Sequence, residues 1–144
     1  MPLARAALYA GGETLHIALW PGGQHNTAPT TPFLAREGRS YCISVSGLLR
    51  GCDVPADFPQ RELVAPQDGE LILNGGSCIA GPDGEWVIPP QVGEELLLVA
   101  ELDVRRVHEE RQNFDPSGHY SRPDVLQLTV DRRRQRAAHF IDES

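Results

Sequence analysis

The spacing of apolar residues predicts a helix, a strand and a second helix in the first third of the chain. Apolar residues in segment 2–10 recur at helical spacing, and two glycines follow them. In Thr14–Trp20 a period-two pattern has two largely apolar faces, which is typical of a strand covered on both sides. A proline at a first helical position and a later glycine predict a helix over 32–37, with Thr31 as its N-cap.

The middle of the chain combines a strand, a long irregular segment and a hairpin. Tyr41–Ser46 has the composition of a second strand, whereas residues 47–74 are rich in proline and acidic residues and are predicted to be mainly loop. Ser77–Ala80 and Glu85–Ile88 flank a Gly-Pro-Asp-Gly sequence, which predicts a β-hairpin.

The last third begins with a continuous apolar run. Glu95–Leu102 is therefore predicted to be a buried strand, followed by a helix over roughly 104–111 that Asp103 can cap. Residues 125–130 form a shorter strand-like run. Because helices and strands interleave, we expect an α/β or α+β fold.

Composition and charge limit the classes of function that this chain could have. The net charge of −7 argues against general nucleic-acid binding, and the basic run Arg132–Arg134 is interpreted as part of a solvated tail. No apolar run approaches the length of a membrane span, and the first residues do not resemble a signal peptide, so we expect a cytoplasmic protein without membrane partners. No nucleotide-binding motif or metal-ligand spacing occurs, and no cofactor or metal is predicted. All 13 basic residues are arginine, which excludes a lysine-dependent reaction within this chain alone.

The histidines and cysteines form no evident catalytic group. His16 lies on a strand and is expected to be a hydrogen-bonded core residue, while His108 is expected on a solvated helix face. Cys42 and Cys78 lie within strands, where a small buried side chain is a better interpretation than a nucleophile. Cys52 is expected to be an exposed thiol.

Residues 113–130 carry an unusual string of aromatic and turn-forming residues, Asn-Phe-Asp-Pro-Ser-Gly-His-Tyr-Ser-Arg-Pro-Asp followed by the strand-like run. The string resembles the carboxyl-terminal signature of nitrilases, a branch of the carbon–nitrogen hydrolase superfamily. Four further segments resemble nitrilase sequences in the same order: 1–10, 16–22, 35–42 and 75–84. The resemblance covers nearly the whole chain, except 45–70 and 131–144.

The resemblance implies the carboxyl-terminal part of a four-layer αββα sandwich. It assigns 1–130 to part of a nitrilase domain and 131–144 to a polar, flexible tail. Nitrilases use a glutamate, a lysine and a cysteine to hydrolyse nitriles through a thioimidate. All three precede the region that this chain resembles, so no catalytic residue is assigned here and the chain alone is expected to be inactive.

The resemblance also implies roles for individual positions. Trp20 and Pro21 are expected near the pocket for a small nitrile substrate, although ordinary core packing of Trp20 is an equal alternative. The first two helices are expected to contact another subunit of a homo-oligomer through four residues: Leu3, Ala6, Tyr9 and Leu34. Six residues of the family signatures are expected to be structural: Glu37, His119, Tyr120, Arg122, Pro123 and Asp124.

Three hypotheses about the chain follow. The first is an incomplete nitrilase, and the second is a non-catalytic binding or assembly module derived from the same fold. The third, a small hydrolase that uses Cys42 or Cys78, has the least support. For the first hypothesis the inner faces of Leu15–Trp20, Tyr41–Ser46 and Leu96–Ala100 should expose aliphatic side chains, because the sheet that covers them would be missing.

Overall fold

A computed structural model describes residues 1–133. Helices and strands interleave, which confirms the mixed α/β class. In chain order the elements are α1 (Pro2–Ala10), β1 (Leu15–Trp20), α2 (Gln24–Gly38), β2 (Tyr41–Ser46), β3 (Leu48–Arg50), a 3₁₀ turn (Gly51–Asp53), α3 (Arg61–Val64), β4 (Leu71–Ala80), β5 (Trp86–Val92) and α4 (Arg105–Asn113).

The strands form one sheet around β4. Strands β1 and β2 run parallel, with α2 as the connection between them, and their register pairs Ala18 with Ser44. Strand β2 then pairs antiparallel with the carboxyl-terminal half of β4, whose amino-terminal half pairs with β3. Strand β5 pairs antiparallel with β4 through the predicted hairpin, which is confirmed and is longer than the sequence indicated.

Helix α2 covers one face of the sheet. Leu34 and Ala35 of the helix pack against Cys42 of β2 and Ala80 of β4, and all four side chains are buried. The sheet residues on this face are small, so the helix can approach closely and exclude water. This covered face is the hydrophobic core of the described residues.

The opposite face of the sheet is open. Leu15, Ile17 and Leu19 point to it from β1, and their exposed fractions are 41%, 61% and 78%. Val45 of β2 is also exposed there. The predicted exposure of aliphatic side chains on one face is therefore confirmed.

The predicted start of the second helix is wrong. Helix α2 begins at Gln24 rather than after Thr31, and it contains Pro29 and Pro32 inside its length. A proline removes a helical hydrogen bond, but tertiary bonds hold the amino-terminal half of this helix in place. The backbone N–H of Gln24 donates to Asn74 Oδ1 at 2.9 Å, and Thr27 Oγ1 donates to the carbonyl of Gly76 at 2.6 Å.

The two predicted strands of the last third are also wrong. Residues 95–102 and 125–130 have no regular secondary structure, and most of their side chains are exposed. Both segments have the composition of strands, but neither has a strand beside it among residues 1–133. Without a partner for its N–H and C=O groups, an extended segment is not part of a sheet.

The predicted helices at 2–10 and roughly 104–111 are confirmed as α1 and α4. Helix α1 spans the predicted residues. The N-cap of α4 is Val104 rather than the predicted Asp103, although Asp103 Oδ1 accepts a hydrogen bond from the backbone N–H of Arg105. Segment 47–74 is more ordered than predicted, since it contains β3, α3 and the first part of β4. No helix among the described residues is long and apolar enough to cross a membrane. Arg134 and the rest of the predicted tail up to 144 lie outside the described residues.

Candidate functional site

The carboxyl-terminal end of β1 carries the two residues expected near a substrate. Trp20 is the last residue of β1 and pairs with Ser46 of β2. Its indole Nε1 donates to Ser44 Oγ at 3.0 Å, which fixes the ring against the covered side of the sheet. Pro21 follows and is exposed. Ligands in open α/β sheets bind beyond this end of parallel strands, so both residues lie at a suitable edge.

A chain of hydroxyl groups lies behind Trp20, between the sheet and α2. Ser44 Oγ and Thr31 Oγ1 are 2.7 Å apart, and Thr31 Oγ1 donates to the carbonyl of Thr27 at 2.7 Å. Ser44 is therefore the donor to Thr31 and the acceptor from Trp20. Cys78 Sγ also donates to Thr31 Oγ1, at 3.3 Å. All of these partners except Trp20 are buried, and the chain of bonds satisfies each of them without water.

A polar pocket opens at the same edge of the sheet. It has a volume of about 450 Å³, and its wall includes Ser46, Ser77, Arg50, Asp53 and Glu94. Ser77 Oγ accepts from the backbone N–H of Ser46 at 3.0 Å, whereas Ser46 Oγ is buried and has no partner among the described residues. The pocket wall has hydroxyl groups and charged side chains of both signs, but it contains no activated nucleophile.

The three cysteines do not line this pocket. The two buried ones, Cys42 and Cys78, are also poorly reactive. Burial raises the pKa of Cys42 to about 12. Burial also raises the pKa of Cys78, an effect that its bond to Thr31 offsets only in part. A thiol whose pKa is raised is not a thiolate at neutral pH, and only the thiolate is a strong nucleophile. Cys52 is exposed, as predicted. The geometry thus gives no support to a cysteine hydrolase within these residues.

Glu37 joins the first two helices through a compact network. Its Oε2 accepts from Arg5 Nε at 2.7 Å and from the hydroxyl of Tyr9 at 2.7 Å. The bond from Arg5 lowers the pKa of Glu37, while burial and the bond to Glu37 raise the pKa of Tyr9. A Cβ on Gly38 would lie 2.5 Å from a ring carbon of Tyr9, so glycine is needed where the ring packs on α2. Glu37 therefore links α2 to α1 through hydrogen bonds.

The residues predicted for subunit contact fall into two groups. Leu3 and Ala6 of α1 are exposed. Tyr9 and Leu34 are buried within the chain, where Tyr9 bonds to Glu37 and Leu34 packs against the sheet. The exposed neighbour of Leu34 is Phe33, which the sequence reasoning did not select. Only the first group is available to another chain in this conformation.

The signature segment after α4 forms a compact turn. Asp115 Oδ1 accepts from the backbone N–H groups of Ser117 and Gly118 at 3.0 and 2.9 Å. The ring of Tyr120 lies between those of Phe114 and His119, with centroid distances of 4.8 and 4.7 Å. These contacts are local, and they account for the alternation of aromatic and turn-forming residues.

The turn is also linked to the carboxyl end of α2. The guanidinium of Arg39 lies 5.6 Å from the ring centroid of Phe114, and its Nη1 donates to Glu110 at 2.8 Å. The signature residues beyond the turn are exposed. Arg122 there makes a bidentate pair with Asp124, which lowers the pKa of that carboxyl group, and Pro123 lies between them.

Sequence reasoning missed the Trp20–Ser44–Thr31 chain of bonds and the Arg5–Glu37–Tyr9 network. One signal for the first was present, because Ser44 is a polar residue between the apolar residues Ile43 and Val45 of β2. Among the described residues, no three His, Cys, Asp or Glu side chains are grouped so that they could hold a metal ion.

Comparison of the sequence with known proteins shows that the chain is similar to nitrilases. A nitrilase of Bradyrhizobium diazoefficiens is 35% identical over 142 residues, which are 98% of this chain and 43% of that protein. Nitrilase 2 of Arabidopsis thaliana is 34% identical over 147 residues, 99% of this chain and 43% of that protein. The resemblance to the carboxyl-terminal portion of a nitrilase is confirmed.

The similarity extends to differently named nitrilases. An aliphatic nitrilase of Sinorhizobium fredii is 34% identical over 131 residues, 91% of this chain and 42% of that protein. No family model matches the chain. The chain spans less than half the length of these relatives. This chain therefore corresponds to one portion of each relative, and it matches the relatives only over that portion.

Proposed function

We propose that this chain is the carboxyl-terminal portion of a nitrilase that hydrolyses a small nitrile to a carboxylic acid and ammonia. The observation that carries the proposal is the similarity to nitrilases along nearly the whole chain, combined with its coverage of under half of each relative. The open aliphatic face of the sheet supports it, because a second layer is needed to cover that face.

In this proposal the remainder of the protein supplies the catalytic cysteine, glutamate and lysine. The thiolate of that cysteine attacks the nitrile carbon, and the nitrile nitrogen takes a proton to give a thioimidate. Water then adds to the same carbon, ammonia leaves, and hydrolysis of the resulting thioester returns the thiol and releases the acid. The raised pKa values of Cys42 and Cys78 agree with a nucleophile located elsewhere.

This chain contributes part of the substrate pocket. Trp20 and Pro21 form a wall at the carboxyl-terminal edge of β1, and Ser44 holds the indole in a fixed orientation. Helix α1 follows the missing nucleophile in the family order, and Glu37 holds that helix on α2. A displaced α1 would displace the nucleophile, so the network has a positioning role in the complete enzyme.

The exposed residues of α1 form a subunit contact in the complete enzyme. Leu3 and Ala6 are exposed on one helix, and small residues such as Ala6 allow close approach of a second helix. Leu3→Arg should therefore lower the oligomer mass of the complete enzyme, measured by light scattering. Leu63→Arg, at an exposed position on α3, is the matched control. An unchanged mass for Leu3→Arg would contradict this contact. A cytoplasmic location stays a prediction.

The main test is complementation. The chain is co-expressed with the amino-terminal portion of the Bradyrhizobium diazoefficiens nitrilase, ending after its catalytic cysteine motif, and ammonia release from simple aliphatic and aromatic nitriles is measured. We expect activity only when both portions are present, and unchanged activity with Cys78→Ala. Turnover by the 144-residue chain alone would contradict the proposal. A soluble, cooperatively folded chain that never associates with the amino-terminal portion would favour the non-catalytic module instead.

A further inference from the structure

Residues 51–70 form a loop that leaves the sheet at the end of β3 and returns at the start of β4. The two arms of the loop are joined where they meet the sheet. The N–H of Gly51 donates to the carbonyl of Glu70 at 2.9 Å, and the N–H of Cys52 donates to the carbonyl of Asp68 at 2.9 Å. These two bonds close the neck of the loop, so its ends have a fixed separation.

One guanidinium group connects the inside of the loop. Arg61 is the first residue of α3, and its side chain is 26% exposed. Its three nitrogens donate to three backbone carbonyls and one carboxylate: Gly51 at 3.1 Å, Val54 at 3.3 Å, Ala65 at 3.4 Å and the Asp68 side chain. A planar guanidinium can bond in several directions at once, which an ammonium group on a flexible stem does less well. Arg61 therefore joins both arms of the loop to α3.

The neck of this loop is also part of the wall of the polar pocket. Arg50 and Asp53 line the pocket of about 450 Å³. Asp53 Oδ2 accepts from the backbone N–H of Arg50 at 2.7 Å, and Arg50 Nη2 donates to the carbonyl of Gly93 at 3.4 Å. Gly51 lies between these two wall residues and is bonded to Arg61. The position of the wall therefore depends on the neck.

The pocket wall is in close contact with the turn that follows Trp20. Gly47 precedes β3, and a Cβ on it would lie 2.7 Å from the carbonyl oxygen of Pro21. The N–H of Gly23 donates to the carbonyl of Gly75 at 3.0 Å, and Gly75 is itself in the pocket wall. A shift of β3 and its neck would therefore change the space beside Pro21.

We propose that Arg61 is a positioning residue for substrate binding, which fixes the loop 51–70 and so holds Arg50 and Asp53 in the pocket wall beside Pro21. The inference rests on the proposed function, which puts the substrate at this edge of the sheet. Arg61 does not line the pocket, so it acts through the two wall residues rather than by contact with the substrate. Its loss should weaken substrate binding and leave the chemical step unchanged.

The first test is amide hydrogen exchange on the 144-residue chain. In Arg61→Ala the amides of Gly51 and Cys52 should exchange about tenfold faster or more, because the neck opens locally, while amides of β1 and β2 keep their rates. The matched control is Arg105→Ala, since the Arg105 side chain is 85% exposed and pairs with Asp103 outside the loop. Unchanged exchange of both neck amides in Arg61→Ala would overturn the inference.

A second variant guards against general destabilisation. Arg61→Lys keeps the charge but has one nitrogen for acceptors on several sides, so it should also speed exchange at the neck, by less than Arg61→Ala. Faster exchange throughout β1 and β2 in both variants would show that Arg61 supports the whole fold rather than the neck. That result would overturn the inference.

The second test separates binding from chemistry in the complex with the amino-terminal portion of the Bradyrhizobium diazoefficiens nitrilase. Arg61→Ala should raise KM for a simple nitrile about fivefold or more and change kcat by less than about twofold. Arg61→Lys should show a smaller rise in KM, and Arg105→Ala should keep both constants. A fall in kcat at unchanged KM would contradict a role in substrate binding.

Two outcomes distinguish this inference from the proposed function. An active complex in which Arg61→Ala retains the KM and kcat of the parent would overturn the inference and leave the proposed function standing. A complex that forms with the parent chain but releases no ammonia from any nitrile would contradict the proposed function. It would also remove the assignment of this edge to the substrate, whatever the exchange rates of the neck.

Discussion

The two faces of the sheet are built from different side chains. The face under α2 carries small residues, including Cys42, Ser44, Cys78 and Ala80, and all of them are buried. The other face carries large aliphatic residues that are exposed in this chain, including Leu15, Ile17, Leu19 and Val45. The same strands β1 and β2 contribute to both faces, since successive side chains alternate between them.

The difference shows which face the chain completes by itself. Small side chains and a closed chain of hydrogen bonds let α2 pack directly on the sheet, and every described polar group in that chain is paired. Large aliphatic side chains have the volume to fill the space between two layers, but residues 1–133 leave Leu15, Ile17 and Leu19 exposed. The open face therefore has more exposed aliphatic surface than stable monomers usually show.

The largest expected effect is a difference in stability between two leucine-to-alanine variants, one on each face of the sheet. Leu34→Ala, under α2, should lower the free energy of unfolding by about 2–5 kcal/mol because it leaves a cavity in the core. Leu19→Ala, on the open face, should change it by about 0.5 kcal/mol or less in the isolated chain. Urea unfolding followed by circular dichroism measures both. Equal losses would refute the contrast between the faces.

The same two leucine variants can be compared in a complex with an amino-terminal nitrilase portion. There Leu19 should be buried, and Leu19→Ala should cost an amount similar to Leu34→Ala. A leucine that stays neutral in the complex would show that the added portion does not cover this face.

A smaller effect is expected from Ser44, a buried polar residue of the covered face. Ser44→Ala removes the acceptor of Trp20 and the donor to Thr31, which should lower the free energy of unfolding by about 1–3 kcal/mol. Ser46→Ala is a matched control on the same strand, because Ser46 Oγ has no partner among the described residues. In a Trp86→Phe background, the fluorescence of Trp20 should change only for Ser44→Ala. A stability loss from Ser46→Ala as large as that from Ser44→Ala would contradict this assignment.

The Arg5–Glu37–Tyr9 network should give a pH-dependent contribution of about 0.5–1.5 kcal/mol, reduced by partial exposure. The bond from Arg5 lowers the pKa of Glu37 from its usual value of 4.5. The stabilisation is therefore fully present above pH 4.5 and is lost as the pH falls through the lowered value in the folded state. Glu37→Gln should thus be less stable than the parent at pH 7, and the difference should shrink below pH 4.5.

Urea unfolding across this pH range measures that difference. Glu109→Gln, at an exposed position on α4, serves as the control and should show no such convergence. A difference between Glu37→Gln and the parent that stays constant from neutral to acidic pH would exclude ionised Glu37 as the stabilising group.

The smallest stability effect is expected for a polar substitution on the open face. Ile17→Thr keeps the branched shape that a strand favours and should change the free energy of unfolding by about 0.5 kcal/mol or less. It should, however, reduce the binding of a hydrophobic dye to the isolated chain. Unchanged dye fluorescence would mean that the dye binds elsewhere.

Local pattern predicted the elements whose stabilising contacts are near in sequence. Alternation and turn residues located β1, β2 and the hairpin of β4 and β5, and helical spacing located α1. The start of α2 was missed because Thr31 and Pro32 were interpreted as the N-cap and the first position of a shorter helix. Bonds from Gln24 and Thr27 to distant residues of β4 decide where that helix begins, and a sequence pattern does not show them.

The candidate site was predictable only in outline. The strand end at Trp20 and Pro21 could be located, but the orientation of the indole depends on Ser44 of the neighbouring strand. Likewise Leu34 was expected at a subunit surface, and the structure buries it while leaving Phe33 exposed. A rotation of one residue around a helix decides which side chain meets the sheet, and that rotation is set by packing.

The sequence by itself determined the family, the mixed class and the apolar character of both sheet faces, because these follow from residue types and their order. Tertiary structure decided which face α2 covers, how the hydroxyl groups of Ser44 and Thr31 are paired, and that 94–102 has no strand partner among residues 1–133. Strand pairing and side-chain burial depend on groups far apart in the chain. For 94–102 the composition specifies a strand, yet a strand forms only where another chain segment satisfies its backbone.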